Sequence, residues 1–130
     1  MTRYININKI KIFYKGNYIK IKYHPYYIAL MNNSKKQYEQ CIANSEQAQQ
    51  LKPTATWEGI QDLINIIKTD GFKIHYGSFD LFKRHNKKIL YSRHGRHRLC
   101  ILLYLYGKDL FFKIKKHKNI FSILEIKINF

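Results

Sequence analysis

Between residues 4 and 23 apolar side chains fall on alternate positions, Ile5 and Ile7, Ile10 and Ile12, Ile19 and Ile21, interrupted at Tyr14-Lys15-Gly16-Asn17. Alternation with a Gly/Asn turn predicts a β-hairpin, and the slip of phase at Asn8-Lys9 predicts a bulge. His24-Pro25 ends the strand pattern and leads into a short segment, residues 26–31. Ser34-Lys35-Lys36-Gln37 has the form of a capping box and predicts a helix to about residue 44. The Gln-rich stretch 45–53 fits either a helix extension or a loop. A second helix is predicted over 57–71: Thr56 can cap it, Glu58 complements its dipole, and Trp57, Ile60, Leu63, Ile64 and Ile67 share one face. Asp70-Gly71 supplies the stop, with Gly71 free to take a left-handed conformation.

Short strands are predicted around 73–75 and 79–83, a turn at 85–88, a strand at 89–91 and a loop at 92–96. A helix over 97–106 stops at Gly107, a strand covers 110–115, and the perfectly alternating tail 124–130 forms a last strand. The fold class expected is α/β of the mixed α+β kind: one small domain, a mixed β-sheet flanked by about three helices. Within it, residues 1–55 hold the hairpin and first helix, 56–118 a core and 119–130 the terminal strand. A chain of 130 residues, 45% hydrophobic, is long enough to bury that core.

With 24 Lys and Arg against 8 Asp and Glu, the formal net charge is +16. Such a balance suits polyanions, although lysine, isoleucine, asparagine and tyrosine abound throughout, as in chains encoded by AT-rich genomes. Two cysteines, Cys41 and Cys100, make no disulfide framework, and no Cys/His spacing suggests structural zinc. The beginning of the chain lacks the apolar stretch of a signal peptide, and the longest apolar run, 99–106, falls far short of the roughly 20 residues that span a bilayer. A soluble, cytoplasmic protein without membrane insertion is therefore expected.

Candidate chemistry concentrates in Arg93-His94-Gly95-Arg96-His97-Arg98-Leu99, which holds three of the five arginines. Guanidinium groups bind phosphate bidentately, a glycine lets backbone approach an anion, and a helix start offers unpaired N–H groups. Arg93, Gly95, Arg96, His97, Arg98 and Leu99 are thus candidates for phosphate or nucleotide binding. The bland reading of the same residues is a solvated basic turn.

The order helix, Asp-Gly, strand, turn, strand, Gly-x-His-Arg, apolar helix, Gly, strand resembles the ParB/sulfiredoxin superfamily over residues 56–118. The resemblance implies a ParB/sulfiredoxin-like fold that binds ATP or another nucleotide, with Arg98 in the phosphate site. Lys116-His117-Lys118 is similar to an element of the subgroup associated with surface-polysaccharide genes. For that subgroup the resemblance implies a small-molecule kinase, transferring phosphate to a small hydroxylated acceptor in surface-glycan metabolism. Two departures bear on the chemistry. Arg96 stands where sulfiredoxins carry cysteine, which points away from sulfinic-acid reduction. His94 stands where the amino-acid kinases carry a catalytic aspartate, and histidine can serve there as general base or ligand-orienting group. Glu58 is a further catalytic candidate if its helix packs alongside, and Mg2+ would be held by nucleotide phosphates plus one carboxylate.

Other positions have two readings each. His24, Tyr26 and His117 are candidate substrate contacts, and Tyr23, Tyr26 and Tyr27 form either an aromatic wall for a base or sugar or ordinary packing. His97 fits a structural or a ligand-binding histidine, Cys100 a core residue or a remote catalytic thiol, and Trp57 a core residue or a stacking platform. Residues 113–118 read as a basic strand edge or as an extension of the positive field. Two other functional classes remain: a nucleic-acid-binding ParB-like module, and a catalytically silent interaction protein. The oligomeric state is open.

Overall fold

The computed structural model describes residues 2–43, 56–71, 81–83, 90–92, 95–118 and 120–128. The strands are β1 (Thr2–Asn6), β2 (Ile10–Tyr14), β3 (Asn17–Lys20), β4 (Leu81–Lys83), β5 (Leu90–Ser92), β6 (Leu110–His117) and β7 (Ile120–Ile128). The helices are α1 (Pro25–Met31), α2 (Lys35–Ala43), α3 (Trp57–Asp70) and α4 (Arg96–Tyr106). A mixed α/β fold was expected and is present, with four described α-helices rather than about three. The expected strand at 73–75, the turn at 85–88 and the 45–53 stretch lie outside the described residues.

Local chemistry sets most boundaries. The Thr56 hydroxyl accepts the Gly59 N–H at 3.0 Å and starts α3, while Gly71, at φ 77°, follows its last turn. Ser34 Oγ accepts the Gln37 N–H at 3.1 Å, one half of the expected capping box; the Gln37 side chain accepts instead from Asn32 at 3.0 Å. Pro25 occupies the first position of α1, where a missing N–H costs nothing, after the cap residue His24. Between β2 and β3, Lys15 and Gly16 both take positive φ, 46° and 84°, as a tight hairpin of the primed type needs.

One expectation is corrected. The slip at Asn8-Lys9 is no bulge within a hairpin; residues Ile7–Lys9 form a 3-10 turn. Asn6 imposes it by accepting the Asn8 N–H at 2.9 Å, while its amide donates to the Lys108 carbonyl at 2.6 Å. β1 thereby leaves β2 and pairs antiparallel with β6, from Thr2↔Lys115 to Asn6↔Phe111.

All seven strands belong to one sheet in the order β1-β6-β7-β4-β5-β2-β3, and β2 runs parallel to β5 while the other pairs are antiparallel. In a flat sheet β1 and β2 would stand five strand spacings apart, roughly 24 Å. The chain from Asn6 to Ile10 reaches at most about 14 Å. The sheet therefore curls strongly, bringing its two flanks together in a barrel-like wrap.

Inside the curl lie Ile10, Ile12, Leu81, Leu110, Phe112, Ile114, Phe121 and Ile123, packed with Ile60, Ile64 and Ile67 of α3. Helix α4 contributes five consecutive buried positions, Leu99 to Leu103. That is more than one apolar stripe, so α4 is enclosed on nearly every side and only its ends approach polar surroundings. Among the described residues no helix is long and apolar enough to cross a membrane.

Candidate functional site at the start of helix α4

Gly95 caps α4 in the left-handed region, φ 80° and ψ 22°, and its carbonyl accepts the Leu99 N–H at 2.9 Å. Gly95 has no side chain with which to cap the helix, and no acidic residue stands in the first turn. The cap residue itself offers the first-turn N–H groups no acceptor, and no carboxylate of that turn meets the positive end of the helix dipole. Arg96 and Arg98, both partly exposed, add two guanidinium groups. Arg96 donates to the Phe13 carbonyl at the long distance of 3.4 Å, which ties the end of β2 to this turn. Burial pulls the pKa of Arg98 below its ordinary value. Arg93 and His94 lie outside the described residues.

His97 is held from two sides. The Tyr26 ring stacks on it with centroids 4.6 Å apart and planes 16° apart. The buried Tyr38 hydroxyl shares a 3.1 Å hydrogen bond with its Nδ1. Burial raises the Tyr38 pKa, so the phenol keeps its proton. When Tyr38 donates that proton, Nδ1 accepts and the imidazole carries its own proton on Nε2. Tyr38 also touches Tyr26 at 5.4 Å and Trp57 at 5.8 Å, so one aromatic cluster joins α1, α2, α3 and α4.

His24, only 2% exposed, is the neighbouring polar group. Its Nδ1 accepts the Tyr26 N–H at 3.1 Å and so caps α1. An accepting Nδ1 is unprotonated, which places the proton of the neutral ring on Nε2. That Nε2–H is buried and has no hydrogen-bond partner among the described residues. Burial, then the charge of Arg96 and then that of His97, lower the His24 pKa to about 3, so the ring is neutral near pH 7. Tyr14 meets it edge-on at 5.2 Å.

The structure thus brings Gly95, Arg96, His97, Arg98 and Leu99 together with Tyr26 and His24. It leaves other sequence candidates elsewhere. Glu58 is exposed and paired with Lys35 at 2.7 Å, and that hydrogen bond holds its carboxyl below the ordinary value, which makes it a weaker base. Glu58 makes no hydrogen bond or ion pair to α4 among the described residues. His117 is exposed at the end of β6; its row across the sheet runs through Ile120 and Phe82 to Tyr91, three strand spacings or roughly 14 Å from β5. Tyr23, Tyr26 and Tyr27 form no single wall: Tyr23 is 60% exposed, whereas Tyr26 is buried against the core, because a 3-10 turn passing into a helix spreads the three rings around the chain. Cys100 is fully buried and its thiol is pushed up to about 12 by that burial, which suits a core residue rather than a nucleophile.

Tyr38 and Tyr14 were not legible as site residues. Nothing in the sequence pairs Tyr38 with His97, 59 positions away. Among the described residues no group of three or more His, Cys, Asp or Glu side chains is placed to hold a metal ion. No family model matches the chain, and no curated protein or solved structure matches it.

Proposed function

We propose that the protein binds the phosphate of a nucleotide or other phosphorylated small molecule at the first turn of α4. The observation that carries this reading is a concentration of positive potential at two helix first turns that hold no acidic residue. The Gly95-capped start of α4 meets the first turn of α1 at the Tyr26–His97 stack, with Arg96 and Arg98 alongside and no acidic residue in either first turn. In a mostly buried helix such a field is weakly screened, and an anion is its natural complement. The buried His24 Nε2–H adds a neutral donor in want of an oxygen. Arg96 and Arg98 clamp the phosphate, and Gly95 keeps a Cβ out of its way.

Phosphoryl transfer to a small hydroxylated acceptor, the activity that the ParB/sulfiredoxin resemblance implies, would then rest on positioning and charge stabilisation. Glu58 is engaged by Lys35, and His94 would act as the base or as a ligand-orienting group. With no carboxylate in the first turn of α4, magnesium would arrive on the nucleotide's own phosphates.

Thermal unfolding with ATP, ADP, CTP and sugar phosphates tests the reading. A ligand that binds the folded state raises the melting temperature with concentration. The rise is expected to vanish in Arg98→Ala and to shrink in Arg96→Gln, which keeps a donor towards the Phe13 carbonyl but loses the charge. Absence of a shift with every nucleotide and sugar phosphate overturns it.

A further inference from the structure

The outward face of the sheet carries a row of rings that the α4 turn does not use. Strand register sets Phe13 opposite Tyr18, Lys11 opposite Lys20, Lys11 beside Tyr91, and Phe82 opposite Tyr91. Directly facing residues share a side of the sheet, and the alternate positions Ile12, Leu81 and Ser92 are buried on the other. Ring centroids follow one another at 5.5 Å from Phe13 to Tyr18, 4.5 Å from Tyr18 to Tyr91 and 5.8 Å from Tyr91 to Phe82. Phe13 is 41% exposed, Tyr18 and Phe82 are partly so, and Tyr91 between them is buried and supports the row from beneath. The described helices join the core through the opposite face.

The charge around this row is one-sided. Lys11 and Lys20 face each other across β2 and β3, a like-charge pairing that strands ordinarily avoid because it destabilises them. Residues 1–38 contain no Asp or Glu at all, and neither do β4 and β5. Among the described strands of this face no carboxylate answers these lysines, and a polyanion is their natural complement.

We propose that this face binds single-stranded nucleic acid, with bases stacking on Phe13, Tyr18 and Phe82 and the Lys11 and Lys20 ammonium groups meeting phosphates. Rings lying along a sheet surface offer π-faces that accept any unpaired base, while lysines track the backbone. A duplex hides its bases and gains nothing from the rings. A second copy of the chain, itself at +16, is repelled rather than recruited. The face stands apart from the phosphate site proposed above, although the Arg96 contact with the Phe13 carbonyl makes the two neighbours.

Fluorescence anisotropy of the full chain with labelled oligo(dT) of roughly ten nucleotides, set against a duplex of equal length, tests this. The single strand is expected to bind more tightly than the duplex. Phe13→Ser, an exposed change that circular dichroism can show to be folded, is expected to weaken binding roughly tenfold at constant salt dependence. Phe13→Tyr is expected to bind as the unmodified protein does, and Lys11→Gln with Lys20→Gln to flatten the salt dependence. Arg98→Ala, which removes the phosphate clamp, is expected to leave oligonucleotide binding intact. Equal affinity for single strand and duplex, or Phe13→Ser binding like the unmodified protein, overturns the proposal. So does binding to anionic vesicles or self-association through this face in a protein that ignores oligo(dT).

Discussion

The Tyr26 ring lies nearly parallel to the His97 imidazole, 4.6 Å away, so the second residue of α1 rests on the second residue of α4. Two helix starts separated by some 70 positions in the chain are thereby fixed side by side. Their dipoles add at one place, and aromatic contact, not a carboxylate, holds them there.

Tyr38→Phe removes the hydroxyl that meets His97 Nδ1 while leaving the ring in the aromatic cluster. The expected loss of stability is about 1 kcal/mol in urea denaturation. Nitrogen chemical shifts of His97 should report a change of tautomer balance in the same variant; unaltered shifts would show that the bond does not set the ring's protonation.

His24 makes stability depend on acid. Its folded pKa is about 3 against an ordinary 6.5, so between those values the unfolded chain binds the extra proton. Stability contributed by the neutral ring is complete above about 6.5, falls as the pH drops towards 3, and falls no further below that. His24→Asn keeps a good capping oxygen for the Tyr26 N–H but cannot titrate. Its denaturation midpoint should vary less across this interval; an acid limb as steep as before would assign the dependence to other groups.

Gly95→Ala places a Cβ on a residue at φ 80°, and the expected cost is roughly 1–2 kcal/mol of stability. Gly95→Asn should recover part of it, since asparagine tolerates the left-handed region. Ligand-dependent stabilisation should weaken in both, because either side chain intrudes where backbone approaches the phosphate. Full retention of it in Gly95→Asn would place the ligand elsewhere.

Legibility in the sequence followed the range of the forces involved. Helix α3 was readable because Thr56, Glu58 and the spacing of Ile60, Ile64 and Ile67 act within a few residues of one another. Helix α4 and the Gly95 turn were readable for the same reason, as was the hairpin turn at Lys15-Gly16. The partner of β1 was not. Local alternation in residues 4–23 favours a neighbour as partner, and only the Asn6 amide reaching the Lys108 carbonyl shows that β6 takes that place. The same limit hid Tyr38 from view: its value to the site comes from His97, which tertiary packing alone brings near.

The turn at Ile7–Lys9 has a consequence for how the molecule is made. Strand β1 and its pairing partner β6 lie about a hundred positions apart along the chain, as the 102-residue separation of Asn6 and Lys108 records. Closing the curl is thus a non-local step that slows folding, because so long a loop must be brought together to make it.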